Sequence, residues 1–203
     1  MPGLPKHRSA IIVAAATLFR RQGYAATGIN DIVAQSGAPK GSLYHYFPQG
    51  KQQIAEEAVR HAGAHAAETL RRLASEHNTA ASLLRAYGAT LAGWMVKSDF
   101  REGCPITTVL LETASDSESL ARAGREAFRS WREVFEHALL RDGMEPRRAA
   151  RLAALAIVAL EGAMVQARVE RSGEPITEAA EGLAGLFPAQ PPSPTSVTNG
   201  RDC

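Results

Sequence analysis

The residues best suited to chemistry lie between Ser36 and Ile54, in the stretch SGAPKGSLYHYFPQGKQQI. It holds three glycines, two prolines, two lysines, two tyrosines and a histidine, and no acid interrupts it. Lys40 and Lys51 supply cations for phosphate oxygens. Pro39 and Lys40 stand at what the sequence marks as a helix start, where free N–H groups and the helix dipole also favour an anion. Gly41 and Ser42 are small, so a helix carrying them can sink close to a major-groove floor about 12 Å wide. Tyr44, His45 and Tyr46 offer hydroxyl and imidazole groups to phosphates and apolar edges to thymine methyls. Leu43 and Phe47 are expected to anchor the same helix to its own core. A plain amphipathic helix with solvated lysines is the bland alternative, and the agreement of turn, charge and residue size argues against it.

The elements that must position these residues follow from the apolar spacing. Ile11, Ile12, Ala15, Leu18 and Phe19 form one helical face, closed by Gly23 as a C-cap. Thr27 is expected to cap a helix of about two turns that stops at Gly37. Pro39 is then placed as the first residue of another short helix. Helix, tight turn and second short helix is the geometry of a helix-turn-helix. Further on, Ile54 to Leu73, Thr79 to Lys97, the segment opened by Pro105, Leu120 to Leu139, residues 146–171 and Ile176 to Phe187 each repeat at helical spacing. The spacing predicts about nine helices and no strand. Residues 146–171 are apolar over most of their circumference between Ala153 and Val165, which predicts burial on more than one side, in the core or against a partner. The tail PAQPPSPTSVTNGRDC is rich in Pro, Ser and Thr and reads as disordered.

Charge sets the first three helices apart. The chain of 203 residues carries a net +2, but residues 1–51 hold six basic residues against Asp31 alone, a net of +5. The remaining residues therefore sum to −3. Such an asymmetry points to a localised polyanion contact.

Other function classes find less support. No run of about 20 apolar residues is evident, and Leu152 to Ala167 is interrupted by Glu161 and Gln166, so no membrane span is expected. MPGLPKHRSA lacks the apolar core of a signal peptide. Cys104 and Cys203 lie far apart, which suits a reducing, cytoplasmic setting. QGKQ at 49–52 is not a phosphate loop, because position 45 is His and Gln52 replaces Ser or Thr. There is no G-x-S-x-G elbow and no Glu-x-x-His pair. Glu57, His61 and His65 follow at i, i+4 steps, a weak zinc pattern better read as a solvated helix flank. Cys104 reads as a small buried thiol at a helix start, and ETASDSES at 112–119 as a solvated helix end and turn.

At FRRQGYAATGINDIVAQSGAPKGSLYHYFPQGKQQI, residues 19–54, the chain resembles the DNA-binding region of TetR/AcrR-type transcriptional regulators. The resemblance rests on Phe19, Gly23, Tyr24, Thr27, Ile29, Ile32 and Val33, and then on Gly37, Gly41, Leu43, Tyr44, Tyr46, Phe47 and Lys51. Two positions depart from the family pattern. Gly28 stands where Ser or Thr is usual, and FPQGK is one residue longer than F-x-S-K. The longer form resembles a subgroup, and GCPITTVLLETAS at 103–115 resembles that subgroup's regulatory domain.

The resemblance implies an all-α homodimer. A three-helix DNA-binding head would occupy 1–51 and a six-helix ligand-binding and dimerisation body 52–187, with the tail at 188–203. The last two long helices would pair between subunits, and a ligand in the body would spread the heads and release a palindromic operator. Lys40, Ser42, Tyr44 and His45 would lead the contacts to double-stranded DNA, helped by Pro39 and Gly41. Thr27, Tyr46 and Lys51 would hold the phosphate backbone. In the body, Trp94, Met95, Phe100 and Cys104 are ligand candidates, with Leu110, Trp131, Phe135 and Met164. The effector itself is unspecified, small and partly apolar, and Glu112, Gln166 or Arg168 would anchor it. No cofactor, metal or membrane is expected. The alternatives are a helical small-molecule-binding protein or enzyme whose basic N-terminus is incidental, and an activator in place of a repressor.

Overall fold

A computed structural model describes residues 6–188, so nearly all of the expected tail, 189–203 with Cys203, lies outside the described residues. Among the described residues the regular elements are all helices: α1 (Lys6–Gln22), α2 (Ile29–Ser36), α3 (Lys40–Tyr46), α4 (Lys51–Glu76), α5 (Ala80–Lys97), α6 (Pro105–Thr113), α7 (Glu118–Arg141), α8 (Pro146–Glu170) and α9 (Glu174–Ala184). Their ends fall where the sequence supplies caps. Gly23 (φ 84°) and Gly37 (φ 62°) take the left-handed conformation that closes α1 and α2. The side chains of Thr79 and Ser117 cap α5 and α7, and Pro105 and Pro146 open α6 and α8.

Two local assignments differ from the sequence reading. The cap of α2 is Gly28, whose N–H donates to the Asp31 carboxylate at 2.9 Å. Thr27 stands one residue earlier, fully buried, its hydroxyl donating to the Gly23 carbonyl at 2.7 Å. Pro39 is the cap of α3 rather than its first residue.

In the body, α4 lies along α7, α5 along α9, and α8 between α7 and α9. The α4–α7 crossing is tight: a Cβ on Gly63 would stand 2.7 Å from that of Ala127, and Trp131 Nε1 donates to the Gly63 carbonyl at 2.9 Å. Helix α1 packs on α2 and α3 and also on α4 and α6. One hydrophobic core therefore runs from Phe19, Ile32 and Phe47 into Leu70, Leu84 and Phe135. Each such side chain contributes about 1.5–3 kcal/mol on full burial.

Helix α8 leaves an apolar face uncovered within the chain. Pro146–Glu170 is long and apolar enough by composition to cross a membrane, with mean hydropathy 1.6 over its best window. It is also buried on one side only within the chain. Ala153, Ala156, Leu160, Ala163 and Ala167 face the core, whereas Leu155, Val158, Val165 and Val169 are 43, 69, 58 and 79% exposed.

Candidate nucleic-acid interface

The turn between α2 and α3 is short and internally braced. Gly37 reverses the chain, the Ser36 hydroxyl accepts the Ala38 N–H at 3.2 Å, and Ala38 is buried beneath. Leu43 and Phe47 are wholly buried, which fixes the rotation of α3 about its axis. That rotation leaves Pro39, Lys40, Gly41, Tyr44 and His45 exposed, with Ser42 and Tyr46 half-buried at the margins. The His45 and Tyr46 rings meet edge-on at 5.0 Å. Nothing lies within 4 Å of where a Cβ would stand on Gly41, so no intramolecular contact requires glycine there.

Two expected backbone-holding residues sit elsewhere. Thr27 is beneath the surface and its hydroxyl is used by Gly23, so its side chain is not presented to a phosphate. Lys51, at the start of α4, turns inward: Nζ donates to the Ala25 carbonyl at 3.3 Å and lies 4.3 Å from the Tyr24 ring centroid. Its ammonium is held below the ordinary lysine range, burial being the larger cause and the Glu112 carboxylate opposing it.

Glu112 completes this arrangement from α6. Its two carboxylate oxygens accept the N–H groups of Tyr24 at 2.9 Å and Ala25 at 2.7 Å. A Cβ on Gly23 would collide with that carboxylate, a second reason for glycine there. The α1–α2 turn is thus clamped by Glu112 from one side and Lys51 from another. Sequence reading took Glu112 for a solvated helix end or a ligand anchor; its partner lies 88 residues away, and no local pattern announces that.

The positive charge of the first three helices is partly neutralised by the body. Arg8 pairs with Glu57, and Arg20 and Arg21 both reach Glu102, at 3.3 and 2.8 Å. Lys6 and Lys40 form no ion pair with a described residue.

Residues 11–58 match the family described as bacterial regulatory proteins, tetR family, and residues 80–182 match the LmrA/YxaF-like transcriptional regulator C-terminal domain. An HTH-type transcriptional regulator of Mycobacterium tuberculosis is 37% identical over 191 residues, spanning 91% of this chain and 96% of that protein. The HTH-type transcriptional regulator LmrA of Bacillus subtilis is 32% identical over 169 residues, 83% of this chain and 90% of LmrA. The chain belongs to the TetR family. It is a helix-turn-helix transcriptional regulator, and regulators of this family bind DNA as homodimers and are typically ligand-responsive repressors. The fold agrees: the crystal structure of a TetR regulatory protein from Rhodobacter sphaeroides superposes with a TM-score of 0.81 at 20% identity, over 90% of this chain and all of that one.

Behind the TetR-type head lies a cavity of about 160 Å³. Five of the expected ligand residues line it: Trp94, Met95, Cys104, Trp131 and Met164. Three do not. Phe100 lies in a surface cleft at the end of α5. Leu110 packs against Gly124. Phe135 is wholly buried behind Tyr87, ring centroids 6.1 Å apart. The suggested polar anchors are also absent from the walls: Glu112 holds the α1–α2 turn, Gln166 faces a cleft between α8 and α9, and Arg168 donates to the Arg21 and Arg101 carbonyls at 3.4 and 3.2 Å.

Sequence reasoning missed Tyr87 and Glu161; His61 and His65, read as a solvated flank, are exposed as expected and also line the cavity. His65 stacks on Trp94 with centroids 6.4 Å apart. The one local signal was Glu161 itself, an acid within an apolar helix. Among the described residues no group of three or more His, Cys, Asp or Glu is arranged to hold a metal.

Proposed function

We propose that this TetR-family protein is a dimeric repressor, released from a palindromic operator by a small, partly apolar effector. The observation that carries this reading is α3: Leu43 and Phe47 lock it from behind while Lys40, Tyr44 and His45 stand free in front. In the proposed complex α3 enters the major groove. Lys40 and the α3 N-terminus at Pro39 take phosphates, Gly41 and Ser42 permit close approach, and Tyr44, His45 and Tyr46 reach bases and backbone. Thr27 and Lys51 support the head by bracing the α1–α2 turn. The DNA-binding head would run through residue 51 and the ligand-binding and dimerisation body through 187, and FPQGK with the GCP segment would mark the subgroup.

Helix α8 supports the dimer. Leu155, Val158, Val165 and Val169 form one apolar stripe, and a second copy of the same helix is the occupant that two-fold symmetry supplies. The cavity supports effector control because α1, the helix that carries the head, contributes part of its wall through Val13 and Arg20. The protein acts by binding in the cytoplasm, without catalysing a reaction. Half-sites about 34–36 Å apart, or a multiple, follow from the two-fold axis. A mobility-shift assay on the intergenic DNA beside the gene tests the reading, with expression from that promoter expected to rise when the gene is deleted. Falling expression would mark an activator, and absence of any salt-sensitive shift would remove the DNA-binding proposal.

A further inference from the structure

The cavity has a chemical polarity that narrows its ligand, an inference resting on the effector reading above. Its α8 wall carries Glu161, set between the buried residues Leu160, Ala163 and Met164. Glu161 keeps part of its surface accessible although protein surrounds it closely, as a side chain on a cavity wall does. One carboxylate oxygen accepts the Thr107 hydroxyl at 2.6 Å. Burial raises the Glu161 carboxyl above its ordinary range. It also raises the Cys104 thiol and the Tyr87 phenol, so neither neighbour competes as an anion.

A charged group in such a place is costly unless something complements it. No cation from the chain does so. Arg20, the one guanidinium on the walls, is drawn to Glu102 at 3.3 Å, His65 is stacked on Trp94, and neither His65 nor His61, the other wall histidine, forms an ion pair with Glu161. Apart from Thr17, His61 and the Arg20–Glu102 pair, the remaining walls are largely aromatic or aliphatic, with Tyr87, Trp94 and Trp131 presenting rings. Ring faces attract cations, most strongly where water is excluded. The volume, about 160 Å³, is close to that of an apolar cavity known to admit benzene, roughly 150 Å³.

We propose that the cavity takes a single-ring arylalkylamine, bound as its ammonium form, with Glu161 as counter-ion and the indoles of Trp94 and Trp131 against the ring. Thr107 is a positioning residue, holding one carboxylate oxygen so that the other is free for the ammonium. An aromatic carboxylate of the same size would meet Glu161 with no compensating charge, and a neutral alcohol would gain a hydrogen bond but no ion pair.

Both tryptophans of the chain line the cavity, so intrinsic fluorescence reads occupancy directly. The full chain is titrated with 2-phenylethylamine, 2-phenylethanol and phenylacetate at pH 7. The amine is expected to bind about tenfold more tightly than the alcohol, the difference between a charged and a neutral hydrogen bond, with phenylacetate weakest. Glu161→Gln should erase the preference for the amine and leave alcohol binding within about threefold, since one neutral hydrogen bond replaces another. The inference is overturned if the alcohol or carboxylate matches the amine, if none of the three binds, or if Glu161→Gln keeps the amine preference. Should that variant fail to fold, the order of the three probes on the unsubstituted protein decides alone. Release of operator DNA by the amine is measured separately. Glu161-dependent binding without release upholds the ligand class and sinks the effector reading, whereas release by an unrelated apolar compound with no amine preference does the reverse.

Discussion

The front of α3 and the cavity behind α1 draw on opposite kinds of sequence information. The first is made by one unbroken segment, in which Lys40, Tyr44 and His45 are exposed because Leu43 and Phe47 are buried. The second is gathered from α1, α4, α5, α7, α8 and the loop before α6, so its members are scattered from Val13 to Met164. A local device keeps its meaning wherever the segment is read. A gathered one acquires meaning only when six pieces of chain are placed together. Helix α1 is the one element common to both, buried on α2 and α3 and lining the cavity with its opposite flank.

The most severe test of that shared helix is Phe47→Ala. Phe47 is wholly buried, with the Arg8 guanidinium 5.6 Å above its ring. Its truncation is expected to cost about 3–5 kcal/mol in chemical denaturation and to abolish operator binding. Because head and cavity share a core through α1, the loss should register as a lower midpoint of a single transition. Two separated transitions would show the head and the cavity region to fold independently.

Next come the two lysines, which the sequence presents as equivalents. Lys40 is exposed at the start of α3, whereas Lys51 is folded against Tyr24 and Ala25. Lys40→Ala should weaken operator binding across sequences and reduce the slope of log affinity against log salt by about one. Lys51→Ala should also weaken binding, through a loosened α1–α2 turn, and leave the salt slope unchanged. A slope reduced by both substitutions would return Lys51 to the phosphate-holding role the sequence suggested.

These pairs show what was legible and what was not. All nine helices among the described residues were visible as apolar periodicity with caps, because Gly, Pro, Ser and Thr at helix ends act within one turn. The turn at Gly37 and the exposed face of α3 were visible for the same reason. Glu112 was not, since its partners Tyr24 and Ala25 lie on another helix junction and a carboxylate in an acidic run looks solvated. The exposure of His61 and His65 was legible, but not that α5 brings Trp94 against His65 at the cavity. The α8 reading left core and partner open for a related reason: periodicity reports that a helix is apolar all round, and a single chain covers only one side.

Glu112→Ala is expected to weaken operator binding less than either lysine change and, like Lys51→Ala, to leave the salt slope unmoved. It removes both acceptors of the Tyr24 and Ala25 N–H groups, and those donors are near solvent, so water recovers part of the loss. A stability cost of about 1 kcal/mol is expected, with a proportionate loss of operator affinity and unchanged ligand titration by tryptophan fluorescence. A change in ligand affinity would mean that α6 transmits strain to the cavity as well as to the turn.

The smallest change carries the sharpest distinction between a residue kept for folding and one kept for contact. Glycine within a helix costs about 0.5–1 kcal/mol relative to alanine, and the space beyond Gly41 is open to 4 Å and more. Gly41→Ala should therefore leave α3 in place and raise the unfolding midpoint slightly. If glycine is there to admit the wall of the major groove, the same methyl must stand between helix and DNA, and operator affinity must fall while stability rises. Opposite signs from one substitution cannot come from damage to the fold. Should affinity instead hold or improve with stability, the approach of α3 to DNA is not limited at Gly41, and the contact face must be rotated toward Tyr44 and His45.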